Sequence, residues 1–147
     1  MIATKQLCTF KLGSHLFGVD AQSVQEVIRY QEMTKVPMAP PAISGLINLR
    51  GQIVTAVDLR FRLGLGKLEG DRKPMNVVVR SDDGAVSLLV DQIGDVIEVD
   101  DRNFEEPPDT LSGTARDLIL GAYKLEGQLL LLLDCDEAVQ IAPEKKE

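Results

Sequence analysis

The chain is predicted to be all-β, folded as small closed barrels, and three observations carry that prediction. Short apolar segments alternate with turn signals at close spacing, while helical periodicity is almost absent. A block of sequence also repeats. Residues 45–60 read GLINLRGQIVTAVDLR and residues 121–136 read GAYKLEGQLLLLLDCD, so Gly45, Leu49, Gly51, Gln52 and Asp58 return as Gly121, Leu125, Gly127, Gln128 and Asp134 at a constant offset of 76 residues. Repetition means that two parts of a chain solve the same packing problem, which divides one domain spanning residues 1–147 into approximate halves 7–63 and 75–139. Closure into barrels then removes the unpaired edges that short strands in an open sheet would expose.

The elements follow in order. Residues 7–12 have strand periodicity and residues 16–19 follow a Gly-Ser-His turn, which makes a hairpin. Asp20 caps a single helical turn over 21–23, its carboxylate accepting from amides that lack a helical partner, and 24–28 resume as a strand. Pro37, Pro40 and Pro41 remove backbone donors, so 33–44 is an irregular connector. Residues 46–49 and 52–57 are strands about the Arg50-Gly51 turn, where Gly accepts a positive φ, and 59–63 form a short helix. The segment 64–74 carries three glycines, one proline and five charges, which marks an exposed boundary between the halves.

In the second half, 75–80 and 85–90 are strands joined at Asp83-Gly84, the strongest hairpin signal in the chain. Val90-Asp91 followed by Asp95-Val96-Ile97 echoes Val19-Asp20 followed by Glu26-Val27-Ile28, which puts Glu26 and Asp95 in equivalent positions. Pro107 and Pro108 mark a second connector before the Gly121 block. Residues 129–133 are leucine throughout, which a strand tolerates only with both faces covered. A short helix or frayed tail follows from Glu137, with 143–147 mobile.

Composition narrows the function. Apolar residues make up 44% and charged residues 27%, the balance of a soluble globular protein. The net charge of −7, with no basic run beyond Lys145-Lys146, argues against a nucleic-acid partner and for a monomer when isolated. No N-terminal export signal is present, and the apolar run 129–133 is far short of the about 20 residues a bilayer needs, so a cytoplasmic protein without direct membrane insertion is expected. Cys8 and Cys135 read as small core residues, and His15 as a turn residue. Asp58, Asp91 and Asp134 would be the residues of a small acidic enzyme, since paired carboxylates can divide acid and base roles. Each, however, ends a strand before a possible helical turn, the place of an N-cap. No nucleophile has a base beside it and no metal-ligand spacing occurs, so neither catalysis, cofactor nor metal is expected. Arg50 breaks the repeat, because its counterpart is Glu126. It is either a solvated turn residue or a planar fork on a carboxylate, with Glu26 the nearest candidate, and such a pair would fix a recognition surface.

Val24-Gln25-Glu26-Val27-Ile28, Gly45, Asn48-Leu49-Arg50-Gly51, Ile53-Val54 and Val57-Asp58-Leu59-Arg60 resemble the CheW chemotaxis coupling proteins, and Val90-Asp91 with Asp95-Val96 extends the match, which runs over 10–139. The resemblance implies two intertwined five-stranded SH3-like barrels with short helical turns and no catalytic activity. It implies an adaptor in signal transduction, coupling the cytoplasmic tips of methyl-accepting chemoreceptors to the regulatory domain of the histidine kinase CheA at membrane-associated receptor arrays. It places Val24 and Glu26 in the receptor groove, Arg50 at the arginine that pairs with the glutamate, and Ile97, Glu98 and Val99 on the strand lining the groove from the other barrel. Ala21 stands where many relatives carry a larger aliphatic residue, and Thr55 where proline is usual. The alternative within the family is a scaffold of a non-flagellar pathway, serving surface motility or second-messenger control.

Overall fold

The computed structural model describes residues 4–68, 70–82, 84–109, 111 and 113–140. The first half runs through a hairpin of β1 (Thr4–Leu12) and β2 (His15–Asp20), a 3-10 turn (Ala21–Ser23) and β3 (Val24–Ile28). A second hairpin of β4 (Ile43–Leu49) and β5 (Gln52–Asp58) leads into α1 (Leu59–Arg62). The second half repeats the plan: β6 (Met75–Ser81), β7 (Gly84–Val90), β8 (Gln92–Asp100), a 3-10 turn (Asp101–Asn103) and β9 (Phe104–Glu105). Then come α2 (Gly113–Leu118), β10 (Ile119–Leu125), β11 (Gln128–Leu133) and α3 (Cys135–Ala138). Aspartates start the short helical pieces by accepting amides that the helix cannot satisfy. Asp20 and Asp100 cap the two 3-10 turns, and Asp58 and Asp134 cap α1 and α3.

The strands form two sheets, ordered β8-β1-β2-β11-β10-β9 and β3-β6-β7-β5-β4. Each sheet takes the opening hairpin of one half and the later strands of the other, which is how the barrels are intertwined. The exchanged hairpins are seamed in by parallel pairs, β2 with β11 and β5 with β7. In the first barrel the edge strands β8 and β9 are joined by the 3-10 turn Asp101–Asn103, so one bent strand closes the sheet on itself. In the second, the chain beyond β3 returns to the far edge, where Thr34 and Leu46 exchange two 2.8 Å amide–carbonyl hydrogen bonds. Glu105 opposite Ala122 is the matching contact of the first barrel.

Closure explains the recurring glycines. A Cβ on Gly45 would sit 2.8 Å from the Thr34 carbonyl oxygen, and one on Gly121 would sit 2.7 Å from that of Glu105 and 2.3 Å from the Phe104 ring. Each glycine follows a bulge in its hairpin, between Ile43 and Gly45 and between Ile119 and Gly121, where the strand bends to meet the closing segment.

Among the described residues, three apolar clusters result. Leu7, Val99, Tyr123, Leu130 and Leu132 fill the first barrel, and Ile47, Leu49, Val54 and Val78 fill the second. A larger cluster, including Phe10, Phe17, Val57, Leu88 and Leu133, lies between them. Each fully buried side chain of this kind contributes roughly 1.5–3 kcal/mol. β11 is covered on both faces as expected, with Leu130 and Leu132 inside the first barrel and Leu131 and Leu133 toward the shared core. Leu129 alone stays 44% exposed.

Several expectations shift. β4 begins at Ile43 rather than 46, and α2 occupies part of the second proline connector. Cys8 and Cys135 are unpaired and half-buried against the shared core, and burial pushes the Cys135 thiol up to about 11. No helical turn follows Asp91, because β7 and β8 are separated by that residue alone. The second 3-10 turn comes after β8, so Val24-Gln25-Glu26 correspond to Phe104-Glu105-Glu106. Asp95 instead lies within β8, its carbonyl accepting from Thr9 Oγ1 at 2.6 Å. Asp83 of the expected turn and the tail 143–147 lie outside the described residues.

Candidate functional site

Arg50 and Gly51 are the whole connection between β4 and β5, with Leu49 paired to Gln52. Both lie in the left-handed region, at φ 50° and 88°, the pattern of a tight hairpin turn that matches strand twist. The Gly51 amide donates to Asn48 Oδ1 at 2.9 Å and holds the turn. An arginine in this conformation costs roughly 1 kcal/mol. In the equivalent turn only Gly127, at φ 80°, is left-handed, and Glu126 is not.

The Arg50 guanidinium donates through Nη2 to Glu26 Oε2, tying the turn to β3. A single N–H makes this contact, not the planar fork, on a side chain that is 71% exposed. The Arg50 hydrogen bond holds the Glu26 carboxyl below its ordinary value against a smaller opposing effect of burial, with the Arg50 charge and Gln25 assisting. The pair is therefore ionised at neutral pH. Val24 is half-buried at the start of β3, and Val27 on that strand and Ile53 on β5 are 42% and 63% exposed.

The other candidate residues lie on the other barrel. Ile97 pairs with Leu7 and is half-buried against the barrel interior, while Glu98 is exposed and accepts from Thr4 Oγ1 at 3.3 Å. Val99 is 5% exposed inside the first barrel, so its side chain faces the core rather than a groove. β8 approaches the second sheet through β6, the strand beside β3. The structure thus brings Glu26 and Arg50 together and sets Ile97 and Glu98 on the neighbouring barrel.

The three aspartates are occupied. Asp58 and Asp134 accept the Phe61 and Glu137 amides, both at 3.2 Å. Asp91, expected to be a cap, instead takes Arg60 in a fork, Nε at 2.8 Å and Nη2 at 2.5 Å, and also accepts the Gly13 amide at 2.7 Å. Burial alone would raise the Asp91 carboxyl, but the Arg60 hydrogen bonds, the Gly13 amide and the charges of Arg60 and Arg72 outweigh it and hold it below 3.8. Asp58, Arg60 and Asp91 line a cleft of about 230 Å³ with Met33, Leu68 and Pro74, yet both carboxylates there already accept hydrogen bonds. The Arg60–Asp91 pair was missed from sequence. The signal for it was present, since Arg60 is replaced by Asp136 at the 76-residue offset, an inversion like that of Arg50 and Glu126.

Comparison with known proteins agrees with this architecture. Residues 6–142 match the family model described as "CheW-like domain". A chemotaxis protein CheW of Rhizobium meliloti is 32% identical over 132 residues, covering 90% of this chain and 85% of that protein. One of Treponema pallidum is 31% identical, covering 88% and 78%. The crystal structure of the scaffolding protein TtCheW from Thermoanaerobacter tengcongensis superimposes with a TM-score of 0.85 at 27% identity and covers 98% of both chains. No helix among the described residues is long and apolar enough to cross a membrane. Two intertwined barrels, an exposed ion pair at a strained turn and a sequence match over nearly the whole chain place this protein in the CheW-like domain family, as a non-catalytic chemotaxis scaffold.

Proposed function

We propose that this chain couples the cytoplasmic tips of chemoreceptors to the regulatory domain of the histidine kinase CheA, in the cytoplasm at membrane-associated receptor arrays. The observation that carries this reading is the Glu26–Arg50 pair. It is charged, exposed and mounted on a left-handed turn that the repeat does not require, and strain of this kind persists at recognition sites. Val24 beside it and the exposed Glu98 on β8 extend the receptor-facing surface, with the half-buried Ile97 at its margin. Val99 supports β8 from inside the barrel.

Pull-down with a receptor cytoplasmic fragment and with CheA tests the reading, and both are expected to be retained by the wild-type chain. Glu26→Lys places like charges together, so it should abolish receptor retention. Because the pair is solvent-exposed, the same change is expected to leave the melting temperature within about 2 °C. A large loss of stability would show Glu26 to be structural, and no retention of either protein would overturn the coupling function.

A further inference from the structure

Given the coupling function proposed above, we infer that Arg60 and Arg80 are positioning residues for its receptor-facing surface. Each grips one point where the chain crosses between the barrels, and together they fix the rotation of one barrel against the other. In chain order β1 and β2 belong to the first sheet, β3 to β7 to the second, and β8 to β11 to the first again. Among the described residues the chain therefore passes between the barrels twice, at residues 20–24 and at Asp91.

An arginine from the second barrel meets each crossing. At the first, Arg80 of β6 donates through Nη1 to the carbonyls of Gln22 and Val24, at 2.7 and 3.3 Å. At the second, Arg60, on α1 directly after β5, holds the Asp91 carboxylate by its fork, and its Nη1 reaches back to the Leu65 and Gly66 carbonyls at 3.3 and 3.4 Å. The first barrel takes the other side of Asp91. The carboxylate accepts the Gly13 amide at 2.7 Å, and the Asp91 amide donates to the Lys11 carbonyl at 3.0 Å. One residue is thus bonded to both barrels.

Each crossing opens a strand that carries the receptor-facing residues. Residues 20–24 run directly into β3 and Glu26, and Asp91 runs into β8 and Glu98. Apolar burial is non-directional, so the shared core holds the barrels together without choosing a rotation. Hydrogen bonds have narrow angular preferences and choose one. The lever is long. At about 3.3 Å per residue Glu98 lies roughly 23 Å along β8 from Asp91, so a turn of about 5° there moves it by about 2 Å. A binding constellation tolerates only about 0.5 Å. The barrel scaffold itself does not call for the fork, since Arg60 is replaced by Asp136 in the other half.

Residual dipolar couplings of the whole chain test the role, because they report the orientation of each barrel separately from its integrity. Arg60→Lys keeps the charge and loses the planar fork, and Arg80→Gln removes the other grip at an exposed position. In both variants the couplings within each barrel should fit the wild-type barrel, while the barrels should be rotated by about 5° or more against each other. In calorimetric titrations both should bind a receptor cytoplasmic fragment about fivefold or more weakly than the wild type. A variant whose barrels keep the wild-type orientation would overturn the role of that arginine, and so would couplings that no longer fit the wild-type barrels. A rotation that leaves receptor affinity within about twofold of wild type would overturn the link to binding. Each of these results leaves the coupling function standing, whereas a wild-type chain that binds no receptor fragment would overturn both.

Discussion

Arg50 and Arg60 belong to the same repeated block and do opposite work. Arg50 is open to solvent, so its pairing with Glu26 adds little to stability and leaves the group available for recognition. Arg60 and Asp91, with side chains 15% and 5% exposed, form a desolvated fork that links α1 to the start of β8 and, through Gly13, to the first hairpin. Asp91→Asn would replace the carboxylate that faces the guanidinium by a neutral amide, while Arg60 Nη1 keeps the Leu65 and Gly66 carbonyls, and it is expected to cost roughly 2 kcal/mol in urea denaturation. Acid titration gives the same residue a second signature. The Asp91 carboxyl titrates below 3.8 in the folded chain, so its contribution is complete above that pH and is lost as pH falls through the lower folded value. The wild type should therefore lose stability more steeply than Asp91→Asn below about pH 4. Arg50 was legible in the sequence because it breaks the repeat and has a glutamate within reach. Arg60 breaks it equally, yet its partner looked like another strand-ending cap. Val99, expected on the groove strand, lies with Ile97 on the face of β8 that packs into the filled barrel, and Glu98 between them faces out, an alternation the sequence around Val96-Ile97-Glu98-Val99 does not reveal by itself.

At the scale of elements, the glycine-anchored hairpins were legible because both have the same length, so their residues align without a gap. The preceding strands were not. β2 has six residues and β8 has nine, so the turn capped by Asp20 recurs at Asp100 and not at the nearer Val-Asp pair. The hairpin glycines also divide into two kinds. Gly127 is needed only for its positive φ, and a Cβ there meets nothing within 4 Å, whereas Gly121 lies under backbone and an aromatic ring. Gly121→Ala is thus expected to destabilise by about 2–3 kcal/mol, through displacement of β9. Gly127→Ala should cost about 1 kcal/mol through backbone strain alone. Paired denaturation curves of the two variants would check the order.

For the whole molecule, the repeat announced two similar units without revealing which strands each unit keeps. Local pattern carries no record of pairing between segments more than a hundred residues apart. The exchange of hairpins makes a direct prediction: residues 1–70 and 71–147 expressed separately should each lack cooperative unfolding by circular dichroism, and mixing them should restore it. A stable fold for either piece alone would contradict the interdependence seen in the sheets.

The parallel seam between β2 and β11 sets Leu16 beside Leu130. On the ribosome the first hairpin therefore waits, unpaired along one edge, until almost the entire chain has been made. Contacts of such long range slow folding and leave nascent strands open to wrong partners. Closure of the first barrel therefore waits on the arrival of the last hairpin, not on the folding of the first.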